Sequence, residues 1–366
     1  MKVLLVEPFF AGSHRQWAEG LQKESRHDIE ILSLPGRHWK WRMFGAAVSL
    51  AEKALQLPID PDLILVSDML DLTTFLALWQ KEGKKRPRVM LYFHENQITY
   101  PWSPDDQIVE RNEQYGFINF TSALAADVIW FNSDFHRMSF LDALPGFLKK
   151  YPDFQSLHRI PEIEKKAHTR WLGLPLQELD IEDKPERTDS PILLWNHRWE
   201  YDKDPDTFFR LCFDLADRGH DFRLIVLGEE YKKQPPIFSQ ARERLASRLL
   251  HWGYAKSRSE YARLLWQADI LPVSSQQDFF GGSTVEAIYC NNYPILPNRL
   301  AFPEHLDLNL HSENLFSDYE ELLFKTERAL KQVEAIRKYD FYRLFVSRYD
   351  WKQLAPVYDR ELDKII

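Results

Sequence analysis

The sequence contains little cysteine and no long apolar run, and both absences exclude whole classes of protein. Its two cysteines, Cys212 and Cys290, form no C-x-x-C pair, which excludes a disulfide framework and a structural zinc site. No stretch of about eighteen consecutive apolar residues occurs, so no membrane-spanning helix is predicted. Glycine, with 13 residues, and proline, with 21, are too scarce for a fibrous or disordered chain.

The first ten residues are largely apolar but lack the pattern of a signal peptide. They contain Lys2 and Glu7, and a polar run, Ser13-His14-Arg15, follows them instead of a small-residue cleavage site. This segment is predicted to be a buried strand. Together with the scarcity of cysteine, it leads us to expect a reducing, cytoplasmic location.

Acidic side chains outnumber basic ones, with 55 Asp and Glu against 47 Lys and Arg and a net charge of −8. This balance argues against a general nucleic-acid coat, because the affinity of such a protein comes from neutralising phosphates. A local basic site is still compatible with the charge. Aromatic residues make up 14% of the chain, and their flat rings suit bases and sugar faces as well as core packing.

Short runs rich in Val, Ile and Leu alternate with helical patterns in two separate series. At about 150 residues per domain, a chain of 366 residues is expected to hold two domains. Strands separated by helices predict parallel sheets covered on both faces, which is an α/β fold. The predicted strands are Lys2–Val6, Asp28–Leu32, Asp62–Val66, Val89–Phe93 and Asp127–Phe131, then Pro191–Trp195, Phe222–Leu227, Leu249–Trp252, Asp269–Val273 and Tyr293–Leu296.

The segment 177–190 is rich in Glu, Asp, Lys and Pro, the composition of a linker between the two series. It separates a first Rossmann-like domain over 1–176 from a second over 191–340. The remaining residues, 341–366, are helical in pattern and are predicted to pack back on the first domain. Ligands of open parallel sheets bind beyond the carboxyl ends of the strands, so the residues that follow each strand are the candidates for chemistry.

Two cations, Arg198 and Lys203, follow the first strand of the second series, and Asn196 lies just before them. Two positive charges at this position suit a diphosphate. The alternative is a surface loop with ordinary charges.

A second polar segment follows the fourth strand of that series and runs from Asp278 to Glu286. Gly281 and Gly282 let backbone N–H groups approach a ligand, and a helix that begins near Ser283 directs its positive end at an anion. Glu286 can accept hydrogen bonds from two vicinal hydroxyls, such as those of a ribose. The alternative is a first-turn acid that complements the helix dipole.

A basic segment interleaved with aromatic residues, Trp39-Lys40-Trp41-Arg42, follows the second strand of the first series. Such a composition stacks bases and meets phosphates. The alternative is an amphipathic surface segment whose tryptophans are buried while its cations extend to water.

Polar runs also follow the first and fourth strands of the first series, as Gly12-Ser13-His14 and His94-Glu95-Asn96-Gln97. His94 suits a hydrogen bond to a donor-sugar hydroxyl or the stabilisation of developing charge, with Glu95 orienting it. A satisfied structural histidine is the alternative. His14 suits a leaving phosphate or the acceptor, and a helix start capped by Ser13 is the alternative.

The Arg198/Lys203 pair and the Asp278/Glu286 pair together resemble the donor-nucleotide signature of retaining GT-B glycosyltransferases. That signature usually reads E-x-x-x-x-x-x-x-E, and this chain has Asp278 in the first position. The resemblance implies two Rossmann-like parallel-sheet lobes that face each other across a cleft. It also implies nucleotide contacts at Gly228, Gly253 and Tyr254, which follow two further strands. Ordinary strand-end turns are the alternative for these three residues.

Nearly the whole chain resembles the tRNA-queuosine alpha-mannosyltransferases. The resemblance implies transfer of mannose from GDP-mannose to the queuosine base of tRNA with retention of configuration, and it implies neither a cofactor nor a metal. The segments that carry it are Phe93-His94-Glu95-Asn96-Gln97, Trp39-Lys40-Trp41-Arg42, Gln114-Tyr115-Gly116, Phe131-Asn132-Ser133, Asn196-His197-Arg198-Trp199 and Asp278-Phe279-Phe280-Gly281.

We assign the expected site by combining these motifs with the resemblance. The catalytic residues are predicted to be His94, Glu95, Arg198, Lys203 and Asp278. The donor-binding residues are predicted to be Gly12, Asn196, Arg198, Lys203, Gly228, Gly253, Tyr254, Asp278, Gly281, Gly282, Ser283 and Glu286. The acceptor-binding residues are predicted to be Ser13, His14, Trp39, Lys40, Trp41, Arg42, Asn96 and Gln97.

Two alternatives stay open. A glycosyltransferase that acts on a small-molecule, polysaccharide or lipid-linked acceptor would use the same donor residues, and the acidic net charge favours it. A nucleotide-sugar or tRNA binding protein without turnover belongs to a different class. Formation of a transfer product distinguishes that class from the enzymes.

Overall fold

The chain folds into two units, each built on its own sheet. This computed structural model describes residues 1–101, 109–229 and 235–365. The first unit comprises Met1–Leu174 and Trp351–Ile366, and the second comprises Pro175–Asp350. Among the described residues each unit holds a sheet of six parallel strands, which confirms the α/β prediction.

The first unit alternates strands with helices. Its strands are β1 (Lys2–Phe10), β2 (Asp28–Pro35), β3 (Leu63–Ser67), β4 (Arg88–Phe93), β5 (Val128–Phe131) and β6 (Ala167–Thr169), and they lie in the order β2-β1-β3-β4-β5-β6. Its helices are α1 (Gly12–Glu24), α2 (Trp39–Gln56), α3 (Leu72–Lys81), α4 (Val109–Ala125), α5 (Asp134–Leu148) and α6 (Ile160–Lys166).

The second unit repeats this alternation. Its strands are β7 (Ile192–Trp195), β8 (Arg223–Leu227), β9 (Leu249–Gly253), β10 (Ile270–Pro272), β11 (Tyr293–Pro297) and β12 (Leu315–Phe316), in the order β12-β11-β10-β7-β8-β9. Its helices are α7 (Pro205–Asp217), α8 (Ile237–Arg244), α9 (Arg258–Gln267), α10 (Gly282–Tyr289), α11 (Leu308–His311), α12 (Tyr319–Lys331), α13 (Val333–Ile336) and α14 (Phe341–Val346). The chain then returns to the first unit as α15 (Trp351–Leu362).

Side chains on both faces of the first sheet are buried, as near-continuous apolar strands predict. Phe93 and Phe131 stack with ring centroids 4.7 Å apart and face a core shared with α2 to α5. Their neighbour Tyr92 points to the opposite face, where it stacks on Trp17 of α1. Because helices cover both faces, the ends of the strands are the part of the sheet left for a ligand.

Aromatic residues form the centre of the second unit. Trp199 stacks on Phe238 of α8 at 4.2 Å between ring centroids, and Trp195 packs edge-on against Phe208 of α7 at 5.1 Å. All four side chains are buried. Much of the aromatic content of the chain therefore serves as core volume.

None of the helices in the described residues combines the length and the apolar character needed to cross a bilayer.

All ten predicted strands are present, and two further strands were not predicted. The additional strands, β6 and β12, have three and two residues and lie at sheet edges. Such short segments carry no periodicity that a sequence pattern could reveal. The segment 146–170, which shows no motif, contains the end of α5 together with α6 and β6.

The unit boundaries differ from the predicted domain boundaries. Residues 177–190, predicted to be a linker, belong to the second unit, where Asp180 accepts a hydrogen bond from Arg343 at 2.7 Å. The second unit extends to Asp350, so only the last part of 341–366 belongs to the first unit. The physical reason is charge pairing. A segment rich in charged residues has the composition of a solvated linker even where one of its side chains, here Asp180, is bound by a residue of the folded unit.

The contact between α1 and α15 generates a stability prediction. A Cβ at Gly20 of α1 would overlap the Trp351 indole, so Gly20→Ala should lower the free energy of unfolding by about 1–3 kcal/mol. The matched control is Gly146→Ala within α5, where a Cβ meets no atom within 4 Å. Removing that helical glycine should stabilise by up to about 1 kcal/mol. Urea unfolding of both variants tests this, and equal effects would contradict the packing account.

Candidate active site

A buried ion pair joins the segments that follow β7 and β10. The Lys203 Nζ atom lies 3.0 Å from Asp278 Oδ1 and 3.3 Å from Asp202 Oδ2, and it donates to the Gln277 carbonyl at 2.6 Å. Asp278 Oδ2 also accepts from the Ser275 hydroxyl at 2.7 Å. Lys203 is only 6% exposed. These two predicted site residues are therefore brought together, and the ammonium is already bound by protein oxygens.

Asp278 is ionised in this environment. Burial by itself raises the pKa of the Asp278 carboxyl, but the charges of Lys203 and His197 and the Ser275 hydrogen bond lower it below the ordinary 3.8. The ionised carboxylate therefore contributes its full stabilisation above the unfolded pKa of 3.8. This contribution is lost as the pH falls through the lower pKa of the folded state. At neutral pH the Asp278 carboxylate is charged, and the adjacent Lys203 ammonium reduces the net charge of the loop after β10.

The start of α10 is tied to the end of β7. Asn196 Nδ2 donates to the Ser283 carbonyl at 2.6 Å, and His197 Nδ1 lies 3.1 Å from the Ser283 hydroxyl. Gly281, just before the helix, has a φ of +83°, a left-handed conformation that favours glycine. Burial lowers the pKa of His197 to about 4, so its ring is neutral at physiological pH. Gly282 is the first residue of α10.

Glu286 is held by two residues that sequence reasoning missed. Its carboxylate accepts from Arg258 Nη2 and from the Tyr261 hydroxyl, each at 2.8 Å and one on each oxygen. Both partners come from α9. The available signal was the position of Arg258 at a helix start shortly after a strand end, with Ser257 capping that helix. Each Glu286 oxygen retains acceptor capacity for one hydroxyl of a diol.

The other predicted donor residues lie at or just after strand ends of the second unit. Arg198 has 53% of its side chain exposed and lies 3.2 Å from Glu200. Gly228 has a φ of +140°, and a Cβ there would overlap the His197 carbonyl, so only glycine fits. Its N–H donates to the carbonyl of Gly253, which also has a positive φ. Tyr254 is 72% exposed.

In the first unit, titratable side chains meet at the carboxyl ends of β1, β3 and β4. His14 Nδ1 lies 3.1 Å from Glu7 Oε2, and the His14 ring lies 4.2 Å from the His94 ring. Asp68 Oδ1 accepts from the His94 backbone N–H at 2.7 Å. Both ring nitrogens of His94 are buried and have no hydrogen-bond partner among the described residues. Sequence reasoning missed Glu7 and Asp68, because a carboxylate inside or just after an apolar strand has no motif of its own.

The other residues after β4 form a local turn. Asn96 Oδ1 accepts from the N–H groups of Ile98 and Thr99, and Gln97 Nε2 donates to Glu95 Oε1 at 2.8 Å. Asn96 is buried. The side chains of Asn96 and Gln97, predicted to bind the acceptor, therefore stabilise the turn itself.

The helix start after β1 does not use Ser13 as a cap. The N-cap residue is Ala11, which has no side-chain hydrogen bond, and Gly12 has a φ of +51°. The capping alternative for this segment is therefore not observed. No acidic residue lies in the first turn of α1. The N–H groups of that turn are therefore not bonded to a carboxylate from the same turn.

The segment Trp39-Lys40-Trp41-Arg42 forms the first turn of α2. Trp39 is half-buried against Tyr115 at 5.4 Å between ring centroids. Trp41 is 55% exposed, while Arg42 donates to the Pro35 carbonyl at 3.2 Å. The two tryptophans therefore divide between core packing and surface presentation.

One group of side chains has the donor set of a small metal site. Glu7, His14 and His94 place a carboxylate oxygen and two imidazole nitrogens within 4.8 Å of one another. The hydrogen bond between His14 and Glu7 accounts for the closest of these approaches without an ion. His14 and Glu7 therefore form a hydrogen-bonded pair, and the His94 ring packs against it.

Comparison with known proteins decides the family. The family model described as tRNA-queuosine alpha-mannosyltransferase N-terminal matches residues 2–174, and that described as Glycosyl transferases group 1 matches residues 177–350. A tRNA-queuosine alpha-mannosyltransferase from Drosophila melanogaster is 34% identical over 370 residues, which cover 97% of this chain and 95% of that protein. The chain belongs to the tRNA-queuosine alpha-mannosyltransferase family. It is therefore an enzyme, a glycosyltransferase.

Solved structures share the fold of this family member at low identity. Sucrose-phosphate synthase from Thermosynechococcus elongatus has a TM-score of 0.71 and 14% identity, with 100% of this chain and 99% of that chain covered. HepE from Anabaena, in complex with UDP, has a TM-score of 0.68 and 14% identity, with both chains fully covered. These likenesses establish the GT-B fold and confirm the predicted fold class.

Removing Lys203 and removing Arg198, the two cations predicted to bind the donor, should have different effects. Lys203→Met removes the ammonium from the Asp202 and Asp278 carboxylates, so it should lower the free energy of unfolding by about 3–5 kcal/mol. Arg198→Ala should change it by less than about 0.5 kcal/mol, because this side chain is largely exposed.

Arg198→Ala and Glu286→Gln should each weaken nucleotide-sugar binding by about 1.5–3 kcal/mol. Urea unfolding and calorimetric titration test this, and unchanged affinity in the latter two variants would refute the donor site.

Proposed function

We propose that this enzyme transfers mannose from GDP-mannose to the queuosine base of tRNA, with retention of configuration and without a divalent cation, in the cytoplasm. The family relationship supports the reaction, since the Drosophila melanogaster relative bears that name. The single structural observation that carries the acceptor is an exposed basic aromatic surface on α2.

This surface, called here the α2 aromatic surface, consists of Lys40, Trp41, Arg42 and Phe44. Trp41 and Phe44 meet edge to face at 5.1 Å between ring centroids, and both are exposed. A Cβ at Gly45 would overlap the Trp41 ring, so the absence of a side chain there lets the indole lie against the helix. An indole held in this way offers a base a face to stack on at little conformational cost.

Positive charge beside these rings favours a nucleic acid over a neutral acceptor. Lys40 and Arg42 flank Trp41, and the Lys40 ammonium lies 5.6 Å from the centroid of the Trp39 ring. The chain as a whole is acidic, so a cationic patch of this kind is a local feature. Phosphates of an RNA that positions a base on Trp41 would meet these cations.

The second unit supports a nucleotide-sugar donor. Glu286, oriented by Arg258 and Tyr261, is a suitable acceptor for the vicinal hydroxyls of a ribose. Arg198 and the amino end of α10 offer positive charge to a diphosphate, which is the leaving group of the transfer. Fixed cations and backbone dipoles aimed at developing charge lower the barrier without a metal. Asp278 is assigned to the donor sugar, where its ion pair with Lys203 fixes its orientation.

The function is tested by nucleoside mass spectrometry. The full chain is incubated with GDP-mannose, or with other nucleotide sugars, and with tRNA that carries or lacks queuosine. We expect one hexose on queuosine from GDP-mannose alone, in the same yield after chelation of divalent cations. A hexose on a small acceptor instead of tRNA would favour the alternative glycosyltransferase. Strict dependence on magnesium or manganese would refute the metal-free mechanism.

The α2 aromatic surface gives a salt-dependent prediction. Replacing Lys40 and Arg42 with Ala should weaken tRNA binding and reduce the slope of affinity against salt, because fewer counterions are released. Trp41→Ala should cost about 1–3 kcal/mol of binding through lost stacking. Donor affinity should not change in either variant.

The matched control for this prediction removes two cations elsewhere in the first unit. Lys84 and Lys85 lie between α3 and β4, so replacing both with Ala makes the same change in net charge. This control should keep the wild-type salt slope. The surface is not the tRNA site if both double variants lose affinity equally, or if the wild type binds no tRNA at low salt.

A further inference from the structure

A carboxylate buried inside a strand of the first unit requires a physical explanation. Glu7 lies in β1 and is fully buried, although burying an unpaired carboxylate is costly. One of its oxygens, Oε1, accepts from the Phe9 N–H at 2.8 Å, and the other, Oε2, lies 3.1 Å from His14 Nδ1. Both oxygens of Glu7 are therefore used, and one of them fixes the orientation of a single imidazole.

The hydrogen bond that Glu7 accepts determines which atom of His14 is left for a ligand. Nδ1 is bonded to the carboxylate, and Nε2 has no hydrogen-bond partner in the described part of the chain. The ring is more than nine-tenths buried and stacks on His94. It also belongs to the first turn of α1, whose N-cap residue offers no side-chain hydrogen bond. The remaining N–H of His14 and the amide N–H groups of this turn are donors of the kind that bind an anionic oxygen.

We propose that Glu7 is a positioning residue of the transfer reaction, which holds His14 by Nδ1 so that its Nε2–H binds a phosphoryl oxygen. This inference rests on the proposed function, because the phosphoryl group belongs to one of the two substrates, the donor diphosphate or the tRNA backbone. Glu7 itself is too deeply buried to touch either substrate. It acts through the imidazole.

The charges around His14 support a ring that stays protonated. Burial lowers the pKa of His14, but the charge of Glu7, its hydrogen bond, and the charges of Asp68 and Glu95 raise it to about 9. The fourth titratable neighbour, His94, is neutral because burial and the His14 charge lower its pKa. The His14 cation is therefore present through the neutral range and is lost as the pH rises through about 9.

Glu7→Gln keeps the size of the side chain and removes the charge that favours the imidazolium. In NMR titrations of the histidine rings, with the His14 signal assigned from His14→Gln, the wild-type pKa should lie well above 6.5 and should fall in Glu7→Gln. The alkaline limb of the turnover profile should move to lower pH by at least about one unit. Turnover at pH 8 should then drop about twofold or more, because half of the rings or fewer would still be protonated.

Binding measurements distinguish the two sources of the phosphoryl oxygen. Weaker binding of the nucleoside diphosphate in Glu7→Gln and His14→Gln identifies the donor, whereas weaker binding of tRNA identifies the acceptor backbone. Glu7→Asp keeps the charge and should recover part of the lost turnover. The control is Glu19→Gln, which removes an exposed carboxylate paired with Arg15 on the same helix and should leave the pH profile unchanged.

An unshifted His14 pKa in Glu7→Gln, or a wild-type pKa at or below 6.5, would overturn the inference. So would wild-type affinity for both substrates in the two variants. If Glu7→Gln does not fold, the wild-type titration and the kinetics of His14→Gln still decide. If the wild type transfers no sugar to tRNA, the proposed function fails, and the His14 titration reports separately on the Glu7–His14 pair.

Discussion

The buried pair of Lys203 and Asp278 is the interaction on which the donor side depends. It joins a segment after β7 to the loop after β10, two strands that are neighbours in the sheet but far apart in sequence. A charge in this position requires a partner, because either group alone would carry the full cost of leaving water. The pair therefore fixes where Asp278 lies and how α10 begins a few residues later. Glu286 depends on that helix for its position, and Arg258 and Tyr261 complete its orientation.

The first unit applies the same principle with different residues. Glu7 is the buried charge and His14 is its partner, while Asp68 accepts the backbone N–H of His94. In each unit a carboxylate near a strand end is compensated by one cation, and that pair positions side chains toward the carboxyl end of the sheet. Parallel sheets covered on both faces leave this end as the place where polar groups can gather. The chemistry assigned to each unit follows from which polar groups it gathers there.

Substrate binding and core packing draw on the same residue types, and burial tells them apart. Trp39 and Trp41 lie two residues apart, yet one packs on Tyr115 and the other is exposed above Gly45. Trp195 and Trp199 lie inside the second unit. The exposed ring beside Lys40 and Arg42 is the one with the surroundings of a base-stacking site. Composition alone cannot separate these tryptophans, because exposure depends on how the helix sits against its neighbours.

The fold class, ten of the twelve described strands and most of the polar segments after them could be predicted from the sequence, because apolar runs and strand-end polar residues are local patterns. It could not show the partners of those residues. Lys203 with Asp278, His14 with Glu7, and Glu286 with Arg258 are each formed between different elements, so tertiary structure alone decides them. The same reason explains the boundary near 177–190, where Asp180 pairs with a distant arginine. The strands β6 and β12 were missed because their two or three residues are too few for a period, and pairing with a neighbouring strand defines them.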